Sequence, residues 1–152
     1  MQGDVLSVER VVAAAPEAIF ALVADASRHP DIDGSGTVVK AKGSPQPLQL
    51  GSTFGMDMKM GIPYSMSSTV VEFEPNRRIA WQSKPPNFLA RFAAGRIWRY
   101  ELEPVGEGTR VRESWDLSQD HQRALLKRSN FPRKAKRDME KTLAKIAELV
   151  ES

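Results

Sequence analysis

An α+β domain is the fold class this 152-residue chain predicts, on three observations. One strand-like segment and two short helical segments come first, a meander of about six alternating segments follows, and a single long amphipathic segment ends the chain. From Asn130 to Val150, Phe131, Ala135, Met139, Thr142, Leu143, Ile146, Leu149 and Val150 fall within one arc of roughly 120° on a helical wheel. Arg133, Lys134, Arg137, Glu140, Lys141, Lys145 and Glu148 lie outside it. Pro132 suits the first turn, where its missing N–H has no partner to lose. A helix of about five turns with one apolar side needs a broad surface to cover it, and the strands are the broad surface available.

The elements follow in order. Ser7 to Val12 alternates weakly and reads as a first strand. Pro16-Glu17 opens a short helix with Ile19, Phe20 and Val23 inward, and Asp25 is placed to cap a second one that His29-Pro30 is expected to stop. Asp31–Gly36 is a turn-rich loop, Thr37–Lys42 a strand, and Gly43–Gly51, with Pro45 and Pro47, a connection. Phe54, Met56, Met58 and Met60 then occupy alternate positions, the period of a half-buried antiparallel strand. Gly61-Ile62-Pro63 is expected to turn the chain into a strand from Tyr64 to Phe73, with Val71 and Phe73 inward and Glu72 outward. Glu74-Pro75-Asn76-Arg77 turns it again into Arg78–Ser83, where Ile79 and Trp81 point inward. After the apolar loop Lys84–Ala94, Arg96–Glu103 presents Trp98, Tyr100 and Leu102 on one face. Pro104–Gly108 is turn chemistry, and Thr109–Leu117 presents Val111, Glu113, Trp115 and Leu117 on one face. About seven strands result, in a sheet able to curl around the terminal helix.

Length and composition bound the remaining classes. Residues 1–152 are the size of one domain. With no cysteine there is neither a disulfide framework nor a cysteine zinc site. Met1-Gln2-Gly3-Asp4 lacks the basic and apolar regions of a secretory signal, and no segment approaches the ~18 apolar residues of a membrane span, so a cytoplasmic protein is expected. The formal charge of +3 is unevenly placed: Arg123, Lys127, Arg128, Arg133, Lys134, Lys136 and Arg137 follow His121 without an intervening acid. Such a segment attracts phosphate or an anionic membrane surface, although a solvated helix face accounts for it as well.

Several stretches together resemble the START-like, or helix-grip (SRPBCC), superfamily, closest in pattern to bacterial polyketide cyclase/dehydrase proteins. They are Ala14-Ala15-Pro16-Glu17-Ala18-Ile19-Phe20 running into Val23–Pro30, the hairpin Val71–Trp81, and Trp98–Pro104 followed by Gly108–Trp115. Ile32 departs from the tryptophan that relatives often carry after the Pro–acid pair. The resemblance covers nearly the whole chain. It implies a helix-grip fold, a seven-stranded antiparallel curved sheet wrapped on the C-terminal helix with two short helices between the first two strands, and a cavity between sheet and helix. A ligand does not follow from a fold.

The inward faces list the side chains that would line such a cavity: Phe54, Met56, Met58, Phe73, Trp81, Trp98, Tyr100 and Trp115 from the sheet, Met139 and Leu143 from the helix. Periodicity alone does not separate a lining from a dry core; large, soft side chains do adapt to irregular ligands. Two charged residues interrupt apolar faces, Glu113 between Val111 and Trp115 and Arg10 between Val8 and Val12. In the helix-grip arrangement that the resemblance implies, the first and last strands are neighbours, so the two are expected to face one interior and to pair. Glu113 would then hydrogen-bond a ligand hydroxyl or, with a raised pKa, serve as general acid or base. Phe88 in the apolar loop is a candidate wall of an entrance. His29 and His121 sit on separate segments without metal-ligand spacing, Asp31-Ile32-Asp33-Gly34 lacks the distal glutamate of a calcium loop, and no nucleotide fingerprint appears. No metal or cofactor is expected.

The expected function is binding of a small hydrophobic molecule of lipid, polyketide or isoprenoid type. An enzymatic alternative is a polyketide aromatase/cyclase with Glu113 or Tyr100 moving the proton. An interaction protein directed at RNA or a ribosome through residues 123–137 is the third reading, with no DNA partner expected.

Overall fold

The computed structural model describes residues 1, 3–35, 38–42, 47–60, 62–84 and 95–151, with the backbone alone for 38–42, 60 and 62–64. Strands β1 (Val5–Val12), β2 (Val38–Lys42), β3 (Thr53–Met60), β4 (Ile62–Glu74), β5 (Arg78–Lys84), β6 (Ile97–Val105) and β7 (Gly108–Asp116) form one antiparallel sheet in the order β1-β7-β6-β5-β4-β3-β2. The meander β2 to β7 is therefore sequential, and β1 closes it by returning beside β7. Between β1 and β2 lie α1 (Pro16–Val23), a 3-10 turn (Ala26–Arg28) and α2 (His29–Ile32); α3 (Arg123–Arg128) and α4 (Phe131–Val150) end the chain.

Register aligns the alternating side chains into rows across the inner face, because directly opposed residues of antiparallel strands share a side. One row runs Leu6, Trp115, Trp98, Trp81, Val70; the next runs Val8, Glu113, Tyr100, Ile79, Phe73. Phe54 and Ser68 open a third with Ser83. The helix α4 buries Ala135, Met139, Thr142, Leu143, Ile146 and Ala147 and packs chiefly on β1 and β7. The helix pair covers another part of the inner face: Phe20 meets Phe73 edge-on at 5.6 Å, and His29 stacks on Trp81 at 4.8 Å.

The opposite face of the sheet carries ion pairs. Arg99 holds Glu72 at 2.6 Å and Asp116 at 3.3 Å, and Arg78 reaches Glu101 at 2.8 Å. A more exposed pair such as Arg78–Glu101 is worth ~0–1 kcal/mol, whereas Arg99 and Asp116 are mostly covered.

Sequence expectation and structure differ at several places. His29-Pro30 does not stop a helix; Pro30 sits in the first turn of α2, where no N–H is needed, and the Asp25 side chain caps the 3-10 turn by accepting from Ser27 N at 3.0 Å. Val71 is not inward. The pairing of β4 with β5 shifts between Val70 and Glu72, so Val71 is the extra residue of a bulge and is exposed, while Val70 and Phe73 stay on the inner face. Ile62 and Pro63, read as turn, already belong to β4. Phe131 and Leu149 lie at the ends of the apolar arc of α4 and are 40% and 43% exposed.

The outer end of α2 is fixed to the middle of α4. Gly34 N donates to Thr142 Oγ1 at 2.8 Å, and Lys145 Nζ donates to Asp33 O at 2.8 Å. A Cβ at residue 34 would lie 2.1 Å from Asp138 O and 2.6 Å from Thr142 N, atoms of a helix backbone that cannot swing aside. Gly34→Ala is therefore expected to cost about 1–3 kcal/mol through overpacking and to lower the melting temperature by about 2–10 °C. A thermal melt unchanged from wild type would show that α2 and α4 do not approach so closely.

Candidate functional site

The second row of the sheet brings the two polar candidates together. Tyr100 on β6 and Glu113 on β7 are directly opposed, Val8 of β1 flanks Glu113 on its other side, and Ile79 flanks Tyr100. Alternation on a pleated strand dictates this: Leu102, Tyr100 and Trp98 share a side of β6, as Val111, Glu113 and Trp115 do on β7, so an acid in the second pattern must enter the interior. Glu113 is 4% exposed and Tyr100 5%. The Tyr100 hydroxyl is directed at the Glu113 carboxyl, and Glu113 Oε1 has no hydrogen-bond partner among the described residues.

Burial pushes the Glu113 carboxyl well above the ordinary carboxylate range; the bond from Tyr100 opposes the shift, and the carboxylates of Asp33, at the end of α2, and Asp138, on α4, add to it. Tyr100 is likewise raised by burial and then by Glu113. Burial thus favours the protonated, uncharged form of both groups, set in an apolar wall. A buried carboxyl oxygen left without a partner costs on the order of 1–3 kcal/mol, a cost that a bound polar group would remove.

Arg10 is not the partner of Glu113. It is opposed to Val111, two positions further along, on the edge strand β1, and its side chain is exposed. An edge strand has a neighbour on one side only, so a long charged side chain there reaches water although its register position is inward. Of the apolar candidates, Phe54, Met56, Trp81, Trp115, Met139 and Leu143 are buried, and Met58, Phe73 and Trp98 are partly exposed around them. Trp98 and Trp115 lie 6.2 Å apart, and Trp81 and Tyr100 5.7 Å. Phe88, with the rest of residues 85–94, lies outside the described residues.

Two features escaped the sequence reading. His29 is buried, packs against Trp81 and edge-on against Phe54 at 5.4 Å, and its Nε2 bonds the Val23 carbonyl oxygen at 2.8 Å. Burial lowers its pKa, against the effect of that bond, so the ring is neutral and joins the aromatic wall. Ser68 and Ser83 share a hydrogen bond of 2.8 Å on the inner face beside Phe54. Alternation within β4 and β5 carried the serine signal; nothing in the sequence around His29 showed which surface it would meet.

The basic stretch divides. Lys127 pairs with Asp4 at 3.0 Å and Lys134 with Asp138 at 2.5 Å, while Arg128, Arg133, Lys136 and Arg137 are exposed. No three His, Cys, Asp or Glu side chains gather as a metal site among the described residues, and no helix there is long and apolar enough to cross a membrane.

A strongly bent antiparallel sheet, a helix pair after its first strand and a terminal helix against β1 and β7 define the START-like helix-grip class. The chain belongs to the polyketide cyclase/dehydrase and lipid transport family, whose model matches residues 5–151. It is 36% identical over 148 residues to the uncharacterized protein Rv0088 of Mycobacterium tuberculosis, covering 91% of this chain and 61% of that protein. The chain thus spans somewhat under two thirds of that relative. Protein CV1439 of Chromobacterium violaceum has a similar fold, with a TM-score of 0.73, 16% identity and 98% of each chain covered. The Aha1 protein of Colwellia psychrerythraea, solved as a dimer, aligns with a TM-score of 0.71 and 16% identity over 97% of this chain and 96% of that one.

The raised pKa of Glu113 has a sign that can be checked. The folded state holds this proton more tightly than the unfolded state, so the contribution to stability is full below the ordinary value of 4.5 and is lost as pH rises towards the folded value. Glu113→Gln is expected to melt increasingly above wild type between pH 5 and pH 8. His29 titrates in both proteins and cancels in the difference. A melting difference that stays constant over that range would mean that Glu113 is not a buried acid.

Proposed function

We propose that the protein binds a small, largely apolar molecule of lipid, polyketide or isoprenoid type between the inner face of the sheet and α4, as one domain acting in the cytoplasm. The observation that carries this reading is the buried Tyr100–Glu113 pair: a hydroxyl and a carboxyl held in an aromatic and aliphatic wall, one oxygen unused. Polar groups few in number and fixed in position, within an apolar lining, are what orient a ligand in such a site. The row Trp81, Trp98, Trp115 and the facing Met139 and Leu143 would take its apolar body, and the family's description as lipid transport agrees.

The same pair supports a second reading. A carboxylic acid whose burial favours its protonated form suits a general acid, and with the family's cyclase/dehydrase description this fits aldol-type ring closure followed by loss of water on a poly-β-keto chain. Glu113 would protonate the departing hydroxyl, which leaves as water, and its carboxylate would then take the α-proton released as the double bond forms, restoring the acid; Tyr100 is the alternative proton donor.

Native mass spectrometry of protein purified under gentle conditions is expected to show an added apolar molecule. Protein stripped of it is expected to bind the neutral fluorescent probe N-phenyl-1-naphthylamine about one to one. Neither a retained molecule nor probe binding would mean that the space is packed solid and the reading is wrong. Turnover of a poly-β-keto analogue that falls by ~100-fold or more in Glu113→Gln would select the enzymatic reading.

A further inference from the structure

We infer that the elbow between α3 and α4 docks on an anionic lipid surface: Leu125 and Phe131 enter the head-group layer, while Arg128, Arg133, Lys136 and Arg137 meet the lipid phosphates. The inference goes beyond the ligand reading above and stands whether or not the interior holds a molecule.

The first observation is an outward face with apolar side chains in water. α3 turns Leu126 into the core and commits Lys127 to Asp4, so its other side carries Ala124, Leu125 and Arg128, all exposed. Leu125 is 67% exposed, more than any other large apolar side chain among the described residues. Phe131 opens α4 and is also exposed. A single exposed apolar residue is ordinary on a protein surface. Two at the bend between successive helices, with cations on either side, have the composition of an interfacial anchor.

The second observation is charge that the fold leaves unpaired. The acids nearest in the chain are engaged: Asp4 by Lys127, Asp120 by Arg96 and Asp138 by Lys134. Arg128, Arg133, Lys136 and Arg137 are exposed, and no acid pairs with them among the described residues. Arg123 donates to Ser118 O at 3.0 Å, a neutral oxygen, and so keeps its charge. Arg133 and Arg137 project from the side of α4 opposite Met139 and Ile146, which face the core. Further along α4, the exposed Glu140 and Lys141 offset each other.

The third observation is that the elbow is already shaped. Ser129 Oγ donates to Leu126 O at 2.7 Å and accepts from Phe131 N at 3.1 Å, and Ser129 N donates to Leu126 O at 3.2 Å. Docking therefore orders little beyond the side chains that make contact. A nucleic acid would use the same cations, but a phosphate backbone has no use for an exposed leucine, and one phenylalanine is a small platform for stacked bases. A bilayer surface takes the cations and the apolar tips together.

Co-sedimentation of the full chain with vesicles of phosphatidylcholine alone, or containing about 30% phosphatidylserine, tests this. Binding is expected on the mixed vesicles, at least about ten-fold stronger than on phosphatidylcholine and falling as salt is raised. Arg133→Ser and Lys136→Ser are each expected to weaken it about five-fold. Leu125→Ser and Phe131→Ser keep the charge and are each expected to weaken it several-fold. Thermal melts separate loss of docking from loss of folding, and Leu125→Ser, at the more exposed position, decides the matter if Phe131→Ser melts early. No binding, equal binding to both vesicle types, or binding that Leu125→Ser leaves unchanged would overturn the inference. So would single-stranded RNA that displaces the vesicles and depends on the same arginines, or a dimer of the chain that Leu125→Ser dissociates.

Discussion

Burial of one side of α4 against the first and last strands is the constraint on which the rest of the molecule depends. Because β1 returns beside β7, the two ends of the strand sequence make a single platform, and Ala135, Met139, Leu143 and Ile146 close onto it. The helix pair then has a fixed object to lean on, and the Gly34–Thr142 and Asp33–Lys145 bonds tie it there. Glu113 lies on β7 within this platform, so the packing that stabilises the fold is also what removes the carboxyl from water.

Much of the architecture was legible because period-two alternation states which side chains share a face. That pattern places Trp98, Tyr100, Glu113 and Trp115 on one side of the sheet, and the amphipathic arc places Met139 and Leu143 opposite them. It failed where register, not pattern, decides. The bulge at Val71 adds a residue that alternation cannot register, and Arg10 sits at an inward position whose neighbour is missing because β1 is an edge. The expected Arg10–Glu113 pair was thus wrong for a reason of topology. The companion of Glu113 is Tyr100, a residue recognised individually and not as its partner.

Family membership and the local chemistry speak to different questions. The fold shared with CV1439 and Aha1, at 16% identity to each, fixes the architecture and says nothing about what is held. The ligand question passes to a few side chains: an acid without a base, a phenol beside it, and an aromatic surround that includes a neutral histidine. On an inner face that is otherwise mostly apolar, such a pair supplies direction.

The alignment of Trp81, Trp98 and Trp115 across three adjacent strands has an optical consequence. These are all the indoles in the chain, so its tryptophan absorption and emission come from a single strip of the interior, with neighbouring rings close enough to exchange excitation. Spectra that in most proteins average over scattered chromophores would here describe one row of one sheet.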